Sequence, residues 1–260
     1  RQCEAVGKSR GMPFPVHIKI DTGMGRLGFR EELFEDLLAI LQKSPWIRLD
    51  GVMSHFADAD DESSSYPLVQ IENFRQFLSR LKMALGKLPR FLHIANSAGT
   101  VRLREAHFTM VRPGIALYGP TAFTPDFEPV MYLKSRILQV KEVPPQTPIG
   151  YSRSFITPHS MAIGTVSVGY GDGYPRALSG KSEVLIRGRR CAVVGRVSMN
   201  LITVDVSHLP SPPSEGEEVV LLGKQGEDFI SADELAAKAG TISYEIYCRI
   251  GSNPVKRLID

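Results

Sequence analysis

The spacing of apolar residues changes once along this chain, near residue 125, and that change constrains the fold more than any other feature. Before it, apolar runs of strand length (16–20, 51–55, 91–95 and 115–118) alternate with amphipathic helical patterns at 31–42 and 68–85. Strands alternating with helices predict parallel βαβ units whose functional groups gather at the carboxyl ends of the strands. Asp21, His55, Asn96 and Arg112 all fall at such ends. Four such units correspond to half of an eight-stranded (β/α)8 barrel, which usually takes about 250 residues. Half a barrel exposes two strand edges, so this stretch is expected to be completed by sequence outside the chain.

After residue 125 short strands follow one another closely, at 133–140, 161–168, 182–186, 190–194, 201–206 and 218–222. Turn signals separate them at Pro144-Pro145, Gly171-Asp172-Gly173 and Arg187-Gly188. This pattern predicts an all-β domain, interrupted by one helix at 231–239 with Ser231 as N-cap and Glu234 as its capping-box partner. The expected organisation is therefore α/β for residues 1–125 and β for 126–260. There is no internal repeat and no low-complexity tract.

The densest chemistry lies in 91–119, FLHIANSAGTVRLREAHFTMVRPGIALYG. Asn96, Ser97, Ala98, Gly99 and Thr100 form a turn opening a short helix, which offers a hydroxyl and unpaired N–H groups to an anion. A second run leads to Arg112, Pro113 and Gly114, where a glycine admits close approach of a ligand beside a guanidinium. Two consecutive strand ends of this kind suit a phosphorylated cofactor; a loop capped by Asn96 and Ser97 with nothing bound fits the same residues. In 17–28, HIKIDTGMGRLG, Lys19 lies inside an apolar run, Asp21 follows its end, and Gly23, Gly25 and Gly28 surround Arg26. Lys19 and Asp21 are either a structural ion pair or part of a site.

Composition narrows the partner. A formal charge of +3 spread over scattered cations gives no basic stripe for nucleic acid, which leaves a small molecule. Cys3, Cys191 and Cys248 are far apart and fit neither a disulfide framework nor a zinc site, so a reducing cytoplasm is the expected compartment. No stretch approaches the roughly 18 apolar residues of a membrane span, and the first residues lack the apolar core of a signal peptide.

The string KIDTGMGRLGF closely resembles the signature of the alanine racemases. The resemblance continues, in the order of that family, through SHFADAD, HIANSAG, VRPGIALYG, IGYSRSF, VGYGDGYPR, VGRVSMN and TISYEIYCRIG. It implies a pyridoxal-5'-phosphate (PLP) isomerase of fold type III, with a TIM barrel followed by a β domain, working as a head-to-tail homodimer. Such an enzyme interconverts L- and D-alanine and supplies D-alanine for peptidoglycan. Carried over residue by residue, Ser97, Tyr244 and the backbone of Gly114 and Ile115 would hold the cofactor phosphate. His55 would face the pyridine ring and Arg112 its nitrogen. Tyr151 would act as one of the two opposed proton-transfer groups, from the partner subunit. Lys19 matches a lysine often carbamylated in the family; it would orient Arg26, which would bind the substrate carboxylate and the cofactor phenolate. Met199 would contact the substrate carboxylate through its backbone, and Tyr170, Arg176, Arg196 and Ile242 would line the access channel.

Two departures stand out. The family's VKANAYGHG-like stretch, with the lysine that forms the Schiff base, does not occur in this sequence, so the isolated chain is expected to be inactive. Asn200 stands where many relatives carry aspartate, which removes a charge. The resemblance leaves open a racemase of serine or lysine. A non-catalytic PLP carrier is a further alternative, against which Tyr151 and residues 126–260 count, and an interaction fragment that docks onto an intact partner is another.

Overall fold

The computed structural model describes residues 1–252, and they divide into two compact units, Arg1–Leu117 and a second beginning at Tyr118. The boundary expected at 125/126 falls inside the second unit. In the first, helix α1 (Gln2–Arg10) leads into β1 (Phe14–Lys19), α2 (Phe34–Lys43), β2 (Ile47–Met53), α3 (Tyr66–Leu85), β3 (Phe91–His93) and α4 (Ser97–Arg102). The three strands form one parallel sheet in chain order, with Ile18 beside Val52 and Val52 beside Leu92.

Helix α3 shows why the sequence folds as it does. Pro67 sits in its first turn, Gly86 ends it in the left-handed conformation (φ 78°), and Pro67, Gln70, Ile71, Phe74, Phe77, Leu78 and Leu81 form its buried stripe. Phe74 stacks edge-on against Phe108 and Phe77 against Phe34, so the stripe also ties down α2 and the loop after α4.

The strand expected at 115–118 is absent. Ile115–Leu117 is a single 3-10 turn. The Ser97 hydroxyl accepts the amides of Gly114 and Ala116 (2.8 and 3.3 Å), and donors engaged by a side chain cannot enter a ladder. The chain still runs beside β3, through Thr109 N–H to Leu92 C=O and Arg112 N–H to Ala95 C=O. Three parallel strands, not four, are therefore observed in the first unit.

The second unit is antiparallel β structure. Its strands are β4 (Leu133–Val143), β5 (Pro148–Ile149), β6 (Phe155–Ile156), β7 (Met161–Val166), β8 (Glu183–Ile186), β9 (Arg189–Val194), β10 (Ile202–Asp205), β11 (Glu218–Gln225) and β12 (Asp228–Ile230). The main sheet runs β12-β11-β4-β7-β10-β9-β8, and a further pairing of β11 with β8, Val220 beside Leu185, closes six of these strands into a ring. Closure removes the exposed edges that a string of short strands would otherwise carry. Ile137, Ile163, Val184, Leu185, Val204 and Val220 on these strands are all nearly inaccessible, so the sheet is covered on both faces. Gly164 belongs to that packing: a Cβ there would meet Val204 and Ile137 at 3.2 and 3.3 Å.

Two helices follow, α5 (Ala232–Ala239) and α6 (Ser243–Gly251), the second unforeseen from spacing. Ser231 caps α5 by accepting the Glu234 amide at 2.9 Å, as expected. The Glu234 carboxylate does not complete a capping box. It binds Arg190 and Lys238 at 2.8 and 2.7 Å, in a cluster that also holds Glu183 and Asp228. A full positive charge outcompetes a backbone N–H for the carboxylate.

Candidate active site

The ends of the three parallel strands carry a cluster built around Arg112. Its Nη2 donates to the carbonyl of Ser54 (2.7 Å), just past β2, and to Nδ1 of His55 (3.2 Å). Its Nη1 donates to Nδ1 of His93 at the end of β3 (2.5 Å). Arginine can only donate, so His93 must accept at Nδ1 and carry its proton on Nε2, which lies 2.8 Å from Nδ1 of His17 on β1. The His17 ring reaches across β2 because Gly51 lies beneath it; a Cβ at Gly51 would come within 2.6 Å of that ring. These contacts leave Arg112 Nε–H and one Nη1–H without an acceptor among the described residues.

Both site histidines are held neutral. Burial, then Arg112 and His17, lowers His93 to about 4. Burial, then Arg112, Arg26 and Lys19, lowers His55. Lys19 is lowered as well, by burial and then by Arg26 and Arg112, against a smaller upward pull from Asp21. Lys19, Arg26 and Arg112 thus surround neutral imidazoles, and the field at these strand ends favours an anion.

Asp21 does not neutralise that field through an ion pair with Lys19, one of the two readings its position allowed. Its Oδ1 accepts the amides of Gly23, Met24 and Gly25 at 2.9 to 3.1 Å. Burial pushes the Asp21 carboxyl up, but those amides together hold it below its usual value. The loop base is closed by Asp21 N–H to Phe29 C=O and Phe29 N–H to Lys19 C=O. Gly28, at φ 125°, is required there, because a Cβ would lie 2.7 Å from the Asp21 amide nitrogen. Arg26 is presented from this closed loop with no carboxylate partner among the described residues.

Ser97, 2% exposed, starts α4, which Asn96 caps by accepting the Gly99 amide at 2.9 Å. That cap leaves the first amides of the helix unpaired. Ser97 Oγ accepts the Gly114 and Ala116 amides, so its own proton is free to be donated. A Cβ on Gly114 would meet nothing within 4 Å, which leaves open space over this turn. Ser97, Gly114 and Ile115 are brought together, and so are Lys19, Arg26, His55 and Arg112.

In the second unit, the segment between β9 and β10 lies beside the turns that carry Tyr151 and Tyr170. Tyr151, 71% exposed, opens a strained turn in which Ser152 and Arg153 both take positive φ (58° and 49°). The turn starts at Gly150, where a Cβ would lie 3.1 Å from the amide of Arg196. Tyr170 and Gly171 donate their amides to Ser198 and Met199 carbonyls (3.0 and 2.8 Å), so Tyr170, Met199 and Asn200 share one corner. Ile242 and Tyr244 are exposed at the start of α6.

His17, His93, Ser54, Thr22 and Gln70 were missed by sequence reasoning. Only the alternation that puts His17 and His93 in strands hinted at two of them. Among the described residues no group of three or more His, Cys, Asp or Glu could hold a metal ion, and no helix is long and apolar enough to cross a membrane.

Comparison with known proteins gives one consistent answer. Residues 1–122 match the family described as alanine racemase, N-terminal domain, and 130–259 match alanine racemase, C-terminal domain. An alanine racemase of Syntrophobacter fumaroxidans is 48% identical over 98% of this chain and 69% of its own length. Among solved structures, alanine racemase of Bacillus anthracis with bound L-Ala-P superposes with a TM-score of 0.84 at 38% identity, over 95% of this chain and 66% of that one. Alanine racemase of Bartonella henselae with covalently bound pyridoxal phosphate gives 0.82 at 29%, over 95% and 67%. The chain thus spans about two-thirds of the length of each of these proteins.

Proposed function

The chain belongs to the alanine racemase family, and from that premise we propose that it supplies the cofactor cradle and one proton-transfer tyrosine of a PLP enzyme interconverting L- and D-alanine. The observation that carries this reading is the cluster at the strand ends, where unopposed cations and free donors face open space. The residues fit the cofactor. A phosphate would accept from the Ser97 hydroxyl and the first amides of α4, beside Gly114 and Ile115, and Tyr244 would add its phenol. Arg112 has donors left for the pyridine nitrogen, and neutral His55 beside it would lie against the ring.

PLP, when bound, supplies an electron sink that makes the α-proton of an amino acid removable. Arg112, already fixed by His93 and two strand-end contacts, would keep the pyridine nitrogen unprotonated, since a guanidinium offers a proton without giving it up. The resulting shallow sink suits racemisation, because it limits side reactions. Arg26 would take the substrate carboxylate in its planar fork, and Lys19, whose charge is disfavoured by burial and then by the neighbouring cations, would orient Arg26 when carbamylated. Tyr151 would move the proton on one face of the α-carbon. Its strained turn and exposed phenol suit entry into the site of a second copy, so the working form would be a homodimer. Met199 and Tyr170 would border the substrate, and Arg176, Arg196 and Ile242 its approach. The three strands described would form part of a (β/α)8 barrel.

The test is conversion of L-alanine to D-alanine by this chain with PLP and the remaining barrel segment of a relative supplied in trans. The reading predicts racemisation of alanine ahead of serine and lysine. It also predicts that Tyr151→Phe lowers turnover at least 100-fold while PLP affinity changes by less than threefold. Preference for another amino acid, or equal loss of turnover and cofactor affinity, would count against it.

A further inference from the structure

Gln70 is a polar residue in the apolar stripe of α3, completely inaccessible to solvent. Burying an amide is costly unless every donor and acceptor is satisfied, and here each one is. Its Oε1 accepts the amide of Ala57 (2.9 Å), while Nε2 donates to the carbonyl of His55 (3.1 Å) and to Oγ1 of Thr22 (3.3 Å). The direction of the chain beyond it is fixed. Ser54 Oγ donates to the Ile20 carbonyl (2.8 Å), so it accepts from Thr22 Oγ1 (2.7 Å), which in turn accepts from Gln70. Asn73, one turn further along α3, donates to the Thr22 carbonyl at 3.2 Å. The carbonyl of the same Ser54 receives Arg112.

One side chain on a helix therefore joins the loop after β1, which presents Arg26, to the segment after β2, which presents His55. We propose that Gln70 is a positioning residue that sets the register of the Arg26 loop against His55 and Arg112, and so shapes the pyridine face of the site. This rests on the PLP reading given above. An apolar residue of equal length would satisfy the packing of α3, leave Ala57 N–H and His55 C=O without their Gln70 partner, and leave Thr22 Oγ1 bonded to Ser54 alone. Glutamate would keep the acceptor for Ala57 but lose both donors while ionised, and regain one when protonated.

The experiment compares the wild-type chain with Gln70→Met, Gln70→Glu and, as a control for lost stability alone, Leu81→Ala. PLP binding is followed by 31P NMR and the His55 imidazole by its 15N shifts. At temperatures where each variant is folded, Gln70→Met should weaken PLP binding about tenfold and let the His55 pKa move back toward 6.5. Leu81→Ala should do neither. Gln70→Glu should bind weakly near neutrality and recover as pH falls. Should Gln70→Met not fold, the pH-dependent recovery of Gln70→Glu decides the matter. Wild-type-like PLP affinity and His55 titration in both Gln70 variants would overturn the proposal. Absence of PLP binding by the wild-type chain would instead overturn the cofactor reading, leaving the effect on His55 as the test of positioning.

Discussion

His93 is one of the groups that hold Arg112, and Gly51 makes room for the His17 ring that backs His93. His93 is neutral because it must accept from a guanidinium inside a buried site. A histidine lowered to about 4 when folded, and near 6.5 when unfolded, binds its proton less readily in the native state. Its linkage therefore costs nothing above 6.5, and stability falls as pH drops from 6.5 toward 4. At about 1.4 kcal/mol per unit this amounts to roughly 3 kcal/mol. Thermal melts across that window should show the slope, and His93→Gln should flatten it; an unchanged slope would remove His93 as its source. Gly51→Ala should destabilise by about 1–3 kcal/mol in chemical denaturation, since the His17 ring must give way to the new Cβ. None of this was legible in the sequence. His17, Gly51 and His93 lie on three strands, and a register shift between Val16 and His17 sets their alignment. The glycine loop around Arg26 was legible, because Gly28 answers a local backbone demand.

At the scale of elements, periodicity found the strands and helices whose stripes are buried, and failed where side chains take over backbone donors. The 115–118 run has the composition of a strand, yet Ser97 engages its amides and it folds as a turn. Glu234 has the spacing of a capping box, yet Arg190 takes its carboxylate. The two roles of that helix start separate by mutation. Ser231→Ala should cost about 1 kcal/mol whatever the ionic strength, as a lost cap does. Glu234→Gln should cost an amount that shrinks as salt is added, because it weakens a partly exposed charge cluster. Denaturant titrations at low and high salt check both; a salt-dependent Ser231 effect would reverse the assignment. Helix α6 escaped notice because its buried residues, Ser243, Ile246, Tyr247 and Ile250, include a serine and a tyrosine.

For the whole molecule, motif order carried the functional reading further than fold prediction could. Spacing alone supported a phosphate cradle and an empty capped loop equally, and the features that favour the proposed cradle are geometric: Ser97 with its proton free, Gly114 with open space, Arg112 with donors left over. The central proposal is that these groups hold PLP. The most direct measurement is a 31P NMR titration of the chain with PLP, repeated on Ser97→Ala and Arg112→Ala. Saturable binding that shifts the phosphate resonance, is strongly weakened by Ser97→Ala and is weakened without loss of the phosphate shift by Arg112→Ala is the predicted result. No shift with the wild-type chain, or binding indifferent to both substitutions, would contradict it.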